Sequence, residues 1–193
     1  MKKWIQTTEQ NQWAEKGMPP KISESENTVT LTDVFDQKIG GFGGCFNELG
    51  YIALQKISQE KQKEIFSALF EKESGCNFNF CRLPIGANDY AAEWYSHNEH
   101  DSDYDMSRFS IERDYKYLLP YIKQAHKLNP EMKFSASPWS PPTWMKFPKA
   151  HNYGKLRMEP EILRAYALYF MRFIQAYESE GVSIEQITAN LSS

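Results

Sequence analysis

Two tryptophans stand on a backbone with little freedom in the run Phe134-Ser-Ala-Ser-Pro138-Trp139-Ser-Pro141-Pro142-Thr143-Trp144-Met-Lys146. Each proline fixes its own φ and restricts the residue before it. Large indoles on stiff backbone suit a binding wall, because little entropy is lost on engagement. The same run would serve equally as a loop with both indoles tucked into a core. A second group of chemically capable residues lies upstream, between 85 and 110: Asp89, Trp94, Tyr95, His97, His100 and several acids. Asp101, Asp103, Asp105 and Glu112 fall at positions one, three, five and twelve of a calcium loop. Met106 stands where such a loop needs glycine, so a solvated acidic loop is the simpler reading. His97 and His100 make a weak zinc half-site, with no catalytic glutamate motif beside them. Cys76 and Cys81 lack C-x-x-C spacing and further ligands. No metal and no cofactor is therefore expected.

The glycine-rich run Gly40-Gly41-Phe42-Gly43-Gly44 is neither a P-loop nor the six-residue dinucleotide fingerprint. It reads as a tight bend, either structural or at the rim of a pocket. Charge excludes other classes. The net charge is -3 with 24% charged residues, which does not suggest nucleic acid or an anionic membrane surface. Aromatic residues reach 15% of the 193 positions, favouring a packed domain with aromatic-lined clefts. No apolar run approaches the ~20 residues of a membrane span. The N-terminus has no apolar signal core, and three cysteines read as reduced, buried thiols. A cytoplasmic protein is expected.

The elements that must position these residues follow a repeating order. Trp4–Thr8 and Thr28–Thr32 have strand composition, separated by a loop with Pro19-Pro20. A short strand at Gln37–Ile39 leads into the glycine run. Ser58 caps a helix over 59–72, with Gly75 as its stop. A strand spans 78–84, and a long loop follows to 110. Pro120 is placed to open a helix that ends at Asn129-Pro130. A strand covers 132–137 and a second long loop 138–158. Pro160 opens a helix to about Ser179, Gly181 stops it, and Ile184–Asn190 forms a fourth strand. Alternating strands and helices argue for a parallel α/β sheet with right-handed crossovers. The long loops all follow strands, where active sites of such folds lie. A full (β/α)8 barrel needs about 250 residues. Four strands and three helices here match half a barrel.

Three segments carry a family resemblance: Gly41-Phe-Gly-Gly-Cys-Phe-Asn-Glu48, Cys81-Arg82-Leu-Pro84 with Asp89, and Ser135-Ala-Ser-Pro138-Trp139-Ser-Pro-Pro-Thr143-Trp144-Met-Lys146. In these the chain resembles glycoside hydrolase family 30, which includes glucosylceramidases. The resemblance implies the first half of a (β/α)8 TIM barrel over 34–193, with residues 1–33 giving strands to an accessory β-domain. It implies a retaining β-glycosidase acting on a β-glucoside or related glycan or glycolipid. Such enzymes use two carboxyls ~5–5.5 Å apart. By similarity, Arg82 supports the nucleophile, Asp89 accepts bonds from sugar hydroxyls, and Trp139 walls the pocket, with Trp144 a further substrate contact.

The departures from the pattern set the functional expectation. The family's acid/base glutamate belongs to an Asn-Glu-Pro at the end of strand four. Here that strand reads Ile187-Thr-Ala-Asn190 and continues Leu191-Ser-Ser193. The nucleophile belongs to a later strand. Asn98-Glu99 and Glu48 have no family warrant as catalytic groups, so no catalytic residue is assigned. The chain is thus expected to be an N-terminal, truncated part of such an enzyme, inactive alone. The alternative is a non-catalytic carbohydrate-binding remnant; a calcium-binding module is the third reading.

Overall fold

The structure is a computed structural model, and it describes residues 4–18, 30 and 32–189. The chain divides into two compact units, Met1–Lys38 and Ile39–Ser193.

The first unit holds a small antiparallel hairpin of β1 (Trp4–Gln6) and β2 (Ala14–Lys16), with Trp4 opposite Lys16. Its turn is held by side chains: Thr7 Oγ1 accepts from the Trp13 amide at 3.0 Å, and Thr8 Oγ1 from that of Asn11 at 3.1 Å. The sequence reading anticipated the first strand, two residues longer, and missed the second. The strand expected at Thr28–Thr32 falls largely outside the described residues.

The second unit begins with a strand that sequence composition misplaced. Gln37–Ile39 forms no strand; the glycine run itself lies along the sheet. The Phe42 carbonyl accepts from the Asn79 and Phe80 amides at 2.9 and 3.1 Å, and Gly44 O from Arg82 N at 2.9 Å. Phe46 N then donates to Arg82 O at 3.0 Å. This is a parallel pairing pattern. Glycine is required because the backbones approach closely: a Cβ on Gly43 would sit 2.2 Å from the Phe80 carbonyl oxygen. Strand propensity scales penalise glycine, so the pairing was invisible to them.

Helix α1 (Glu48–Leu54) follows, capped by Asn47, whose Oδ1 accepts from Gly50 N at 2.7 Å. The sequence reading missed it. Helix α2 (Gln59–Phe70) starts at the expected Ser58 cap and buries Phe66 and Phe70. It ends slightly earlier than expected, and Gly75 packs over its last turn, where a Cβ would lie 2.3 Å from Ser67 O. Strand β3 (Phe80–Ile85) leads into the long loop and a 3-10 turn at Glu112–Tyr115. Helix α3 (Leu118–Leu128) includes Pro120 within its first turn rather than at its opening. There the missing N–H removes a bond the helix would not have made anyway. Strand β4 (Lys133–Pro138) is followed by a short 3-10 turn at Thr143–Met145. A two-residue pairing of β5 (Lys146–Phe147) with β6 (Lys155–Leu156) stiffens the second long loop. Helix α4 (Pro160–Ser179) matches its expected span. Gly181, at φ 79°, turns the chain back, and Val182 N bonds to Tyr177 O at 2.9 Å. The chain then enters β7 (Ile184–Ile187).

The sheet runs glycine segment, β3, β4, β7, all parallel. That is the strand order of the first half of a (β/α)8 barrel, and no closed barrel forms among the described residues. Alternation sorts its faces. Cys81, Leu83, Ile85, Phe134 and Ala136 turn into a core shared with α2, α3 and α4. There Phe46 meets Tyr121 edge-on at 4.7 Å, and Phe173 lies 4.2 Å from Tyr177. Each fully buried aromatic or aliphatic side chain contributes about 1.5–3 kcal/mol. The other face presents Arg82, Ser135 and Gln186, which are register neighbours. Among the described residues, no helix is long and apolar enough to cross a membrane.

All three cysteines are free; only Cys81 is buried, whereas Cys45 and Cys76 are exposed. The expectation of three buried thiols is thus corrected: Cys45 lies on the pleat side away from the helices, and Cys76 follows Gly75 at the surface.

Candidate sugar-binding site

Parallel sheets place their loops for ligands at the carboxyl ends of the strands. At that end, β3 and β4 lie in register, with Ile85 opposite Pro138. A cleft of about 330 Å³ opens beside them, lined by Arg82, Ser135, Ser137, Trp139 and Thr188 among others. The Arg82 Cζ lies 5.1 Å from the centroid of the Trp139 ring, a cation–π arrangement. Trp139 is 39% exposed, so its indole is a wall and not a core residue. Ser137 is 9% exposed, and its Oγ is buried without a hydrogen-bond partner in the protein. A buried hydroxyl left unpaired is costly unless water or ligand completes it. Sequence reasoning missed Ser137. Its signal was the alternation of Ser135 and Ser137 with apolar Phe134 and Ala136. Among the described residues, no carboxylate lines this cleft and Arg82 forms no ion pair.

Asp89 stands apart from the cleft lining, exposed in the loop after β3. That loop is held on both sides of it. Asn88 Oδ1 accepts from Tyr90 N at 2.8 Å, and the Tyr90 carbonyl accepts from Leu49 N at 3.0 Å. Ala92 N donates to Glu48 Oε2 at 2.7 Å. Glu48 is buried and receives two bonds from Arg113, each 3.1 Å. Glu48 is therefore an anchor for the loop. The Asn98-Glu99 pair has a related role. Asn98 O accepts the Trp144 indole N–H at 3.0 Å, and Glu99 accepts from the Thr143 amide at 3.2 Å and from its hydroxyl.

Trp144 is thereby corrected as a substrate contact. It is 2% exposed and its one donor is spent on Asn98. The 3-10 turn after Pro142 points it inward, so the two tryptophans of one rigid run stand in opposite environments, one buried and one part-exposed. Asp103, a candidate calcium ligand, accepts from Asn98 Nδ2 at 2.7 Å and from Arg108 N at 2.9 Å. It closes its own loop: burial is the largest single influence and would raise its carboxyl, but the Ser107, Arg108 and Asn98 bonds together hold it below the usual range. Among the described residues, no group of three or more His, Cys, Asp or Glu could hold a metal ion.

Beneath the loop lies a buried polar set that sequence reasoning did not find. Asp114 accepts from Tyr177 Oη at 2.6 Å and from Tyr95 Oη at 3.2 Å. His97 Nε2 lies 3.6 Å from Asp114 and accepts from the Gly86 amide at 3.2 Å. Burial depresses the His97 pKa and raises that of Asp114. The signs differ. For His97, the stabilising contribution is full above the unfolded value near 6.5 and falls away as pH drops toward the folded value. For Asp114, it is full below the unfolded value near 3.9 and is lost as pH rises through the folded one. Below about pH 6.5, His97 should therefore make stability fall by up to about 1.4 kcal/mol per pH unit. Because Asp114 acts with the opposite sign, urea midpoints of the wild type are compared with those of His97→Gln across that range; the same pH profile in both would contradict this.

Comparison with known proteins gives the same architecture a family. The model of the glycosyl hydrolase family 30 TIM-barrel domain matches residues 39–192. The chain is 30% identical over 158 residues to the lysosomal acid glucosylceramidase of Mus musculus, covering 79% of this chain and 30% of that protein. It is 29% identical over 167 residues to the endo-1,6-beta-D-glucanase BGN16.3 of Trichoderma harzianum, covering 80% of this chain and 34% of that one. Among solved structures, SrfJ from Salmonella typhimurium superposes with a TM-score of 0.72 at 32% identity, over 78% of this chain and 34% of that one. The chain thus spans about a third of the length of each of these proteins.

Proposed function

This chain belongs to glycosyl hydrolase family 30, and from that premise we propose that it carries the sugar-binding wall of a retaining β-glycosidase of the glucosylceramidase or glucanase type. The observation that carries the reading is the Arg82–Trp139 pair in a cleft at the carboxyl ends of β3 and β4. The ligand is a β-linked glucosyl unit. Trp139 covers one face of the ring, since an indole matches the apolar C–H face of a sugar. Arg82 is the cation that orients a carboxylate nucleophile toward the anomeric carbon. Asp89 accepts hydrogen bonds from hydroxyls at the far rim, and Ser137 offers its unpaired hydroxyl to the ligand or its water.

Retaining hydrolysis divides its work between two carboxyls ~5–5.5 Å apart, one acid and one nucleophile. The cleft lining of these residues contains neither. The 193-residue chain by itself is therefore a binding element without turnover, and the glycolipid or glucan reaction belongs to a protein that brings both carboxyls to Arg82.

Two assays test this. Titration calorimetry of the chain with glucose should give millimolar binding, and Trp139→Ala should weaken it at least tenfold, about the 1.4 kcal/mol expected of a stacking wall. An aryl β-glucoside should not be hydrolysed. No heat at high millimolar glucose would remove the binding claim. Activity that followed the protein through the Arg82 and Trp139 variants would refute the absence of carboxyls.

A further inference from the structure

A buried histidine, His97, lies under the rim and takes no part in the sugar contacts proposed above. We propose that His97, as the neutral ring with its proton on Nδ1, is a positioning residue that sets where the Asp89 turn stands by accepting the Gly86 amide.

Gly86 is the hinge of that turn. It follows β3 directly, has φ 81°, and a Cβ there would meet Tyr95 O at 3.2 Å. Its amide has one partner, the Nε2 of His97. A ring nitrogen that accepts cannot carry a proton, so in the neutral ring the proton is on Nδ1. That atom is buried and has no protein partner. The ring cannot drift, because Phe109, Tyr169 and Phe173 pack around it at 5.4–6.1 Å. The His97 backbone is fixed as well: its N–H donates to Tyr169 Oη at 3.2 Å and its carbonyl accepts from Ser110 N at 3.0 Å. From Gly86 it is three residues to Asp89, with Ala87 N bonded to Tyr95 O at 3.0 Å on the way.

The same geometry makes the contact sensitive to protonation. A proton taken from solvent by Nε2 converts it from acceptor to donor. The Gly86 amide then loses its partner, and the new N–H has Asp114 Oδ2 within reach at 3.6 Å. The groups that face the ring are Tyr95 from the loop, Arg113 and Asp114 from the 3-10 turn, and Tyr169 from α4, with Tyr177 of α4 bonded to Asp114 behind them. Only Asp114 is placed to accept from it. Its other two bonds come from tyrosine hydroxyls that hold it in position.

The test uses the 193-residue chain and two variants. Imidazole nitrogen NMR should find the Nδ1–H tautomer at neutral pH; an Nε2–H tautomer overturns the proposal. Amide exchange at Gly86 should be slow in the wild type at neutral pH and accelerate only as pH falls below about 6.5, beyond the intrinsic pH trend, as the ring takes a proton. His97→Leu removes the acceptor and should speed exchange at Gly86 about tenfold relative to other β3 amides. His97→Gln keeps an acceptor without titration, so protection should persist and its pH response vanish. Unchanged Gly86 protection in a folded His97→Leu chain overturns the proposal, as does a pH response retained in His97→Gln. Should His97→Leu fail to fold, the tautomer and the glutamine variant still decide. The link to sugar rests on the reading of Asp89 as a ligand. In that arm His97→Leu should weaken glucose binding while His97→Gln restores it. Absence of glucose binding in the wild type would sink the sugar reading and leave the exchange result to stand or fall alone.

Discussion

Glu48→Ala should cost the fold about 3 kcal/mol, seen as a lowered urea midpoint at an unchanged slope. Glu48 is almost fully buried, and it accepts three bonds at once: two from the Arg113 guanidinium and one from the Ala92 amide. Removing it strands a cation and a backbone donor together, and breaking a buried pair from one side costs about 3–5 kcal/mol. The lower end applies because Arg113 is 27% exposed and can turn to Glu93, already 3.0 Å away. Glu48→Gln keeps the shape and one acceptor and should lose less. It separates charge from hydrogen bonding. The loss should also appear locally, as faster amide exchange at Ala92 and at Leu49, whose N–H holds Tyr90 O. A change under about 1 kcal/mol, the usual value of an exposed ion pair, would place Glu48 outside the framework.

Gly43→Ala should be comparably damaging, on the order of 3 kcal/mol, for a steric reason. The added methyl would stand 2.2 Å from Phe80 O, 2.7 Å from Phe80 C and 2.8 Å from Cys81 Sγ. Two of these are backbone atoms of β3, which cannot rotate away. Relief requires the glycine segment to move off the sheet, which breaks the bonds between Gly44 and Arg82 and between Phe46 and Arg82. Gly44→Ala is the control, since nothing lies within 4 Å of a Cβ there. Equal stability of the two alanine variants in a urea titration would show that the segment is not a sheet strand.

The pattern of what could be read from residue types follows from locality. Helix α4 was legible because its inner face repeats at helical spacing over Ile162, Tyr166, Tyr169, Phe173 and Tyr177, between Pro160 and Gly181. Strand β4 was legible as a short alternating run, and the motif around Trp139 identified its loop. The first barrel strand was displaced because its pairing depends on an absence of side chains, which resembles a turn. Trp144 was misassigned because direction is set by the 3-10 turn after Pro142 and by the distant Asn98 carbonyl. The His97–Asp114 set was invisible for the same reason. Its members come from a loop, a 3-10 turn and α4, and only the fold brings them together. Glu48 was seen in its motif, but its partners at 92 and 113 were not.

The bonds from Asn98 to Trp144 and from Glu99 to Thr143 have a mechanical meaning. They bolt the loop after β3 to the loop after β4. Lys149 and Asp101 form a further tie between the same loops, and Trp94 stacks on His151 across them at 6.1 Å. Neither loop can therefore open by itself. The two form one lip beside Trp139 that would lift or stay shut as a unit. Its position is set by residues 98–101, which lie outside the lining of the cleft.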